Sequence, residues 1–240
     1  MLKTEFIAYG HWLFKRRGTL PLAVYVILIA FMALSAQGGP RHDSLPGQWF
    51  EYLCLVVSLL GLFVRMVVLG TVPEKTSGRN TETQVAEELN TGGVYSVLRH
   101  PLYFGNFFMY LGLAIFPGNA WFAVIFCLVF WLYYERIMFA EEDFLERKFG
   151  DAYRAWAAKT PAFFPRLRQW KGPPRRFRLL RALKRDRSAI LGIAIGFGLL
   201  EATERIALGQ EFTGDWFWAG VVVAGIVLYA AGKLLPPPAE

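Results

Sequence analysis

The chain has 240 residues, of which 55% are hydrophobic, 16% aromatic and only 19% charged, with a formal net charge of +7. A soluble domain carries about 25% charged residues and shorter apolar runs, so this composition excludes an ordinary soluble globular protein. Most of the positive charge lies in one stretch between apolar segments, which favours anionic lipid headgroups over nucleic acid as its partner.

Apolar runs suited to crossing a hydrocarbon core of roughly 30 Å occur at 19–36, 49–70, 102–118, 120–140, 188–208 and 214–235. They predict an all-α integral membrane protein with about six transmembrane helices. Lys3, Lys15, Arg16 and Arg17 precede the first run, which is too long and too poor in small-residue cleavage sites to be a removable signal. The 37–48 loop offers only Arg41, whereas 71–101 holds Lys75, Arg79 and Arg99, and 141–187 is densely basic. This alternation of Lys and Arg predicts cytoplasmic termini in a multi-pass protein, expected in a bacterial inner membrane. The third and fourth runs are joined only by Pro117-Gly118-Asn119, a tight helical hairpin. Cys54 and Cys127 fall inside apolar runs, without metal-like spacing, and read as packing residues.

Four segments follow from this pattern: an N-terminal span and loop (1–48), a core (49–165), a basic interfacial segment (166–187) and a two-span extension (188–240). The basic segment has ten Lys or Arg against one acid, Asp186. From Phe177, the residues Leu179, Leu180 and Leu183 predict a short amphipathic helix in the interface.

Chemistry is concentrated at the two ends of the third and fourth runs. A long polar loop, Thr71 to His100, precedes the third run and contains Arg79 and Asn80, a candidate pair for a phosphate or sugar headgroup or for structuring the loop. Glycine at Gly92-Gly93 permits a sharp turn. His100 precedes Pro101, which suits the first turn of a helix, so free backbone N–H groups and the positive dipole end face a carboxylate or phosphate there. Tyr95, Arg99, His100 and Tyr103 add donors and ring faces. Beyond the fourth run, Glu141-Glu142 and then Leu145, Phe149, Tyr153 and Trp156 recur as on an amphipathic helix lying against the membrane. A carboxylate there could accept from ribose hydroxyls or balance a cation; alternatively His100 caps its helix and the glutamates form a solvated face.

Gly93-Val-Tyr95, Arg99-His100-Pro101-Leu-Tyr103-Phe-Gly105, Glu141-Glu142, Leu145, Phe149-Gly150, Tyr153 and Pro161-Ala-Phe-Phe-Pro165 resemble the isoprenylcysteine carboxyl methyltransferase and phospholipid methyltransferase superfamily over roughly 60–165. The resemblance implies S-adenosyl-L-methionine held in a cytoplasmic cleft formed by helix ends and an amphipathic helix. Tyr95, Leu98, Arg99, His100, Pro101, Tyr103, Gly105, Glu141 and Glu142 would surround it, with Arg99, Glu142 and Arg65 serving catalysis. Arg65, Arg79, Asn80 and Asn106 would meet a lipid or lipid-linked acceptor. Arg65 lies among apolar residues and should face the bundle interior. Arginine near the acceptor favours an anionic oxygen, phosphate or carboxylate, over an amine. Three alternatives stand beside this reading: a phospholipid amine N-methyltransferase, an NADPH-dependent sterol-type membrane reductase, and a non-catalytic lipid-binding protein. The chain offers no metal-ligand motif, and neither the acceptor lipid nor the oligomeric state follows from the sequence.

Overall fold

A computed structural model describes residues 2–18, 20–35, 45–73, 86–209 and 216–235. Their helices are α1 (Leu2–Arg16), α2 (Leu20–Ser35), α3 (Leu45–Thr71), α4 (Pro101–Ile115), α5 (Ala120–Phe149), α6 (Asp151–Ala157), α7 (Leu179–Ala207) and α8 (Trp216–Leu234). Among the described residues the one β-type pairing is an isolated bridge between Gly93 and Lys171.

The described part of each of the six expected spans is largely helical, but among the described residues only three helices are long and apolar enough to cross a membrane: Gly47–Thr71 in α3, Ala120–Phe149 and Trp216–Leu234. The apolar stretch Tyr25–Leu34 of α2 and the whole of α4 are shorter. Helix α7 is long but carries Arg181, Lys184, Arg185, Asp186 and Arg187 near one end and Glu201, Glu204 and Arg205 near the other.

Antiparallel packing brings one set of helix ends together. Arg65 meets Asp186, and the Arg178 N–H donates to the Gly70 carbonyl at 3.2 Å, so α7 runs against α3. Helix α4 also runs against α3, with Ser58 Oγ donating to the Met109 carbonyl at 2.7 Å. A side chain at Gly112 would overlap Ser58 Oγ and the Cys54 carbonyl, and one at Gly105 would press on the Arg65 side chain and the Gly61 carbonyl. Small residues at such crossings let backbones approach where lipid removes the hydrophobic drive for helix association. The ends of α3 and α5 and the starts of α4 and α7 therefore lie together.

At the opposite end of the bundle, Trp49, Trp121 and Trp216 stand near the starts of α3, α5 and α8 with exposures of 70%, 77% and 85%. Tryptophans at one level on the outer surface match the aromatic belt of a membrane interface. Inside, one apolar cluster joins Leu28, Leu113, Phe116, Phe197 and Trp218 across α2, α4, α7 and α8. A second joins Phe14, Phe126, Phe130 and Tyr134 between α1 and α5.

Three local expectations change. Residues 2–16, read only as a basic approach to the first span, form α1 and pack along α5, with Phe6 and Phe139 ring centroids 5.7 Å apart. The separate amphipathic helix expected from Phe177 is instead the first part of α7, which crosses the boundary drawn at 187/188 without a break. Leu179 and Leu180 are exposed, whereas Leu183 packs against the core. Helix α5 likewise continues unbroken from the fourth apolar run through Glu141-Glu142 to Phe149, and stops at Gly150, whose φ of 52° ends the α conformation.

The α3–α4 crossing makes a direct stability test. Gly112→Leu forces these helices apart and should lower the unfolding temperature in detergent by an amount equivalent to about 1–3 kcal/mol or more. Gly172→Ala, where an added Cβ has open space, should leave it unchanged.

Candidate functional site

The stretch before α4 is shaped by its backbone partners. Gly93 adopts φ 59°, a conformation other residues rarely take, and its N–H donates to the Lys171 and Gly172 carbonyls, each at 3.1 Å. Ser96 Oγ donates to the Gly93 carbonyl at 2.6 Å and accepts from the Lys171 N–H at 2.9 Å. The Arg99 N–H donates to the Pro161 carbonyl at 2.9 Å, the His100 N–H to that of Ala162 at 3.2 Å, and the Arg166 N–H to that of Val97 at 3.0 Å. Residues 161–172 thus form a strap along 93–100, held mostly by main-chain bonds, with the Ser96 hydroxyl adding one to Lys171. Helix α6 joins from the side: Trp156 Nε1–H donates to the Tyr95 carbonyl at 3.2 Å, and Arg99 Nη1–H to that of Ala157 at 2.8 Å.

This scaffold holds His100 as the N-cap of α4 with Pro101 next, and His100 makes no side-chain cap bond. The Leu102 and Tyr103 N–H groups at the α4 start therefore face outward with the positive end of the dipole. The imidazole turns instead to α5. His100 Nε2 lies 2.8 Å from Glu142 Oε1, and Nδ1 lies 3.7 Å from Glu141 Oε2. Arg99 Nε approaches Glu142 Oε1 at 3.0 Å. Tyr103 Oη donates to Glu141 Oε1 at 2.5 Å, and Arg17 Nη1 reaches the same oxygen at 3.3 Å. His100 is buried at 6% exposure. Burial opposes its protonation, but its hydrogen bonds to Glu141 and Glu142 outweigh that, and the pKa sits above the ordinary imidazole value.

A second polar centre lies about 9 Å further along α4, six residues from His100. Both oxygens of Asp186 receive the Arg65 fork, Nε to Oδ2 at 3.0 Å and Nη2 to Oδ1. Arg65 Nη1 donates to Asn106 Oδ1 at 2.6 Å, and Asn106 Nδ2 donates to Tyr134 Oη at 3.1 Å. Arg65 does face the interior, but the guanidinium read as open to an anionic acceptor is occupied by a carboxylate of the chain itself.

The structure therefore brings Arg99, His100, Pro101, Tyr103, Glu141 and Glu142 together, and groups Arg65 with Asn106 apart from them. Tyr95 enters through its carbonyl, and Leu98 is buried beneath the turn. Gly105 lies against α3. Arg79 and Asn80 fall outside the described residues. Sequence reasoning passed over Arg17, Tyr134 and Asp186. A lone acid in a run of ten cations was the available signal for Asp186. For Arg17 there was none, because α1 was not read as an element. Among the described residues no cluster of three or more His, Cys, Asp or Glu side chains could hold a metal ion.

An apolar helical bundle whose helix ends enclose a buried imidazole between two carboxylates defines a membrane protein with a polar site at one end. Residues 51–152 match the phospholipid methyltransferase family. The chain is 32% identical over 151 residues to the cobalt-zinc-cadmium resistance protein CzcN of Cupriavidus metallidurans, covering 63% of this chain and 66% of that protein. It is 33% identical over 152 residues to the nickel-cobalt-cadmium resistance protein NccN of Alcaligenes xylosoxydans xylosoxydans, covering 63% of this chain and 65% of that one. Against a probable protein-S-isoprenylcysteine O-methyltransferase of Oryza sativa subsp. indica it is 30% identical over 144 residues, covering 59% of this chain and 75% of that protein. The chain thus spans just under two thirds of the two resistance proteins' length. No solved structure matches. The chain belongs to the isoprenylcysteine carboxyl methyltransferase and phospholipid methyltransferase superfamily.

The His100 environment predicts a pH response. Because the folded-state pKa is raised, the stabilisation is complete below the unfolded value of about 6.5 and is lost as pH rises through the folded value. Thermal unfolding in detergent from about pH 5 to about pH 9 should show this loss in the native chain. In His100→Gln that component of the pH dependence should disappear.

Proposed function

We propose that the chain is an S-adenosylmethionine-dependent methyltransferase acting on an anionic oxygen of a lipid-type acceptor. The observation that best supports this is the closure of Glu141 and Glu142 on the start of α4 through His100, because it puts anion-binding N–H groups beside two carboxylates. A methyl donor that combines an amino acid with a nucleoside asks for both: donors for its carboxylate and acceptors for its ribose hydroxyls. The uncapped N–H groups of Leu102 and Tyr103 meet the first requirement, and the glutamates meet the second. Tyr153, whose hydroxyl hydrogen-bonds to Glu142, closes the same wall from α6. The residues present fit the group.

S-adenosylmethionine supplies an electrophilic sulfonium methyl when bound. The chain's residues would supply placement. Arg99 ties the turn to α6 and approaches Glu142, so the carboxylate is held at a fixed place. Arg17 and Tyr103 fix Glu141 in the same way. Orienting groups of this kind lower a displacement barrier by prepaid positioning rather than by proton transfer.

His100 also bears on the acceptor. The two carboxylates favour its protonated form, which leaves less free imidazole to accept a proton. An ammonium acceptor must lose a proton before attack, whereas a phosphate or carboxylate is already ionised. The geometry therefore supports O-methylation over N-methylation. The occupied Arg65 acts as a positioning residue beneath the site, through Asn106 and Tyr134. In this reading the helices behind the six apolar runs lie in a bacterial inner membrane, with the His100 end and both termini cytoplasmic, and the 166–187 segment against anionic headgroups.

Titration calorimetry of the purified chain should show binding of S-adenosylmethionine and S-adenosylhomocysteine, weakened about tenfold or more in Glu142→Gln, where a charged acceptor is lost. Lipid extracts from cells with and without the gene should differ by a species heavier by one methylene group. If neither nucleoside bound, or Glu142→Gln bound both as tightly, the proposal would be wrong.

A further inference from the structure

Arg181 stands in the first turn of α7 and is 3% exposed, yet its Nε and Nη1 have no hydrogen-bond partner among the described residues. A guanidinium keeps its charge in proteins, and a buried charge without a counter-charge or donors' partners is among the least favourable arrangements a fold can hold. Among the described residues, other inward cations each have at least one strong partner, whereas two of Arg181's nitrogens have none. Arg65 is paired with Asp186, and Arg185 Nη1 donates to the Leu69 and Val72 carbonyls at the end of α3, at 3.2 and 3.3 Å. Both oxygens of Asp186 are engaged by the Arg65 fork, and among the described residues no hydrogen bond or ion pair joins Asp186 to Arg181.

The surroundings of Arg181 describe what would complete it. The α7 start has no side-chain cap bond at Arg178, so the Leu179, Leu180 and Arg181 N–H groups present a positive dipole end beside the guanidinium. Phe177, Leu179 and Leu180, at 48%, 53% and 62% exposure, give the same turn an apolar outer face. A buried cation behind an exposed apolar edge suits an amphipathic anion, with its charged group inside and its chains in the bilayer. By the 1.5 Å rise of an α-helix, Arg181 lies about 7.5 Å from Asp186 along α7, toward the end of the bundle that holds His100.

We propose that Arg181 and the α7 start form the binding site for the phosphate-type headgroup of the acceptor lipid. This rests on the methyltransferase reading for the word acceptor, and on the structure alone for the anion site. It differs from loose attraction of headgroups to the basic segment, because the residue that matters is the buried one. It also moves acceptor recognition from Arg65 in the family-matched region to a residue of the basic segment beyond it.

The test uses the purified full chain in detergent, with dioleoyl phosphatidic acid, dioleoyl phosphatidylcholine and inorganic phosphate as probes and thermal unfolding as the readout. Phosphatidic acid should raise the unfolding temperature of the native chain by several degrees, and phosphatidylcholine should not. Arg181→Gln should abolish the rise, Arg181→Lys should reduce it, and the exposed-site control Lys159→Gln should keep it. Without lipid, Arg181→Gln should unfold no lower than the native chain, since it removes an uncompensated charge. A lipid-induced rise that survives in Arg181→Gln, or is lost equally in Lys159→Gln, overturns the site. So does a marked loss of lipid-free stability in Arg181→Gln and Arg181→Lys, which would mean that the arginine already has a structural partner. An equal rise with inorganic phosphate overturns the lipid assignment. Calorimetry with S-adenosylmethionine on the same samples separates the two readings: binding should be unchanged in Arg181→Gln, and its absence in the native chain rejects the methyltransferase reading whatever the lipid does.

Discussion

The ion pair between Arg65 and Asp186 is the contact on which the arrangement of this molecule turns. It joins α3, inside the family-matched stretch, to α7, which lies beyond it. A bare arginine in an apolar bundle would be costly, and so would a bare aspartate. Each is tolerated because the two meet in a fork, with Asn106 and Tyr134 taking the remaining donors. The pair sets the register of α7 against α3, and that register carries Arg181 and Arg185 inward. It also neutralises the arginine nearest the interior end of the site, leaving the interior near-neutral there.

The two polar centres follow from helix lengths as much as from side chains. Helix α5 has 30 residues, about 45 Å at 1.5 Å per residue, against a hydrocarbon core of roughly 30 Å. Its last turns therefore extend beyond the apolar layer, and Glu141 and Glu142 lie on those turns. Helix α4 has 15 residues, about 22 Å, which is shorter than the core. Its start meets the projecting part of α5 at the level of His100, while the strap 161–172 and α6 satisfy the backbone of the turn leading to it. An irregular segment at that depth is stable only because its N–H and C=O groups find partners within the protein. The strap provides them.

Much of this was legible in the sequence, and the reasons differ by element. The α4–α5 hairpin was visible because Pro117-Gly118-Asn119 is too short to be anything else, and Asn119 caps α5 by accepting from the Phe122 N–H at 3.0 Å. The meeting of His100 with Glu141 and Glu142 could be read because motif residues sat on matching ends of adjacent runs. Helix α1 escaped because it is amphipathic and polar on one side, so a search for apolar runs passes over it. The single α7 was split in two because its charges suggested an interface, when several of those charges point into the bundle and bond to α3. Periodicity records how many polar residues a helix carries, but not whether a buried carboxylate or carbonyl waits for them.

The distribution of arginines also constrains how an acceptor could be recognised. Arg99, Arg65 and Arg185 all bond to carboxylates or carbonyls of the chain, so each is already compensated and has little to gain from an incoming anion. An arginine that is satisfied in the free protein must give up those bonds to bind a ligand, and the exchange leaves little net affinity. Among the described residues Arg181 has no such bonds at Nε and Nη1, so an anion placed there would gain a charge-assisted contact without breaking one. Discrimination between lipids would then come from the first turn of α7, while the α4–α5 end, with its glutamates and uncapped N–H groups, would remain common to any methyl acceptor. Separate surfaces for donor and acceptor, at the starts of α4 and α7 on the same end of the bundle, let the acceptor site diverge without disturbing His100.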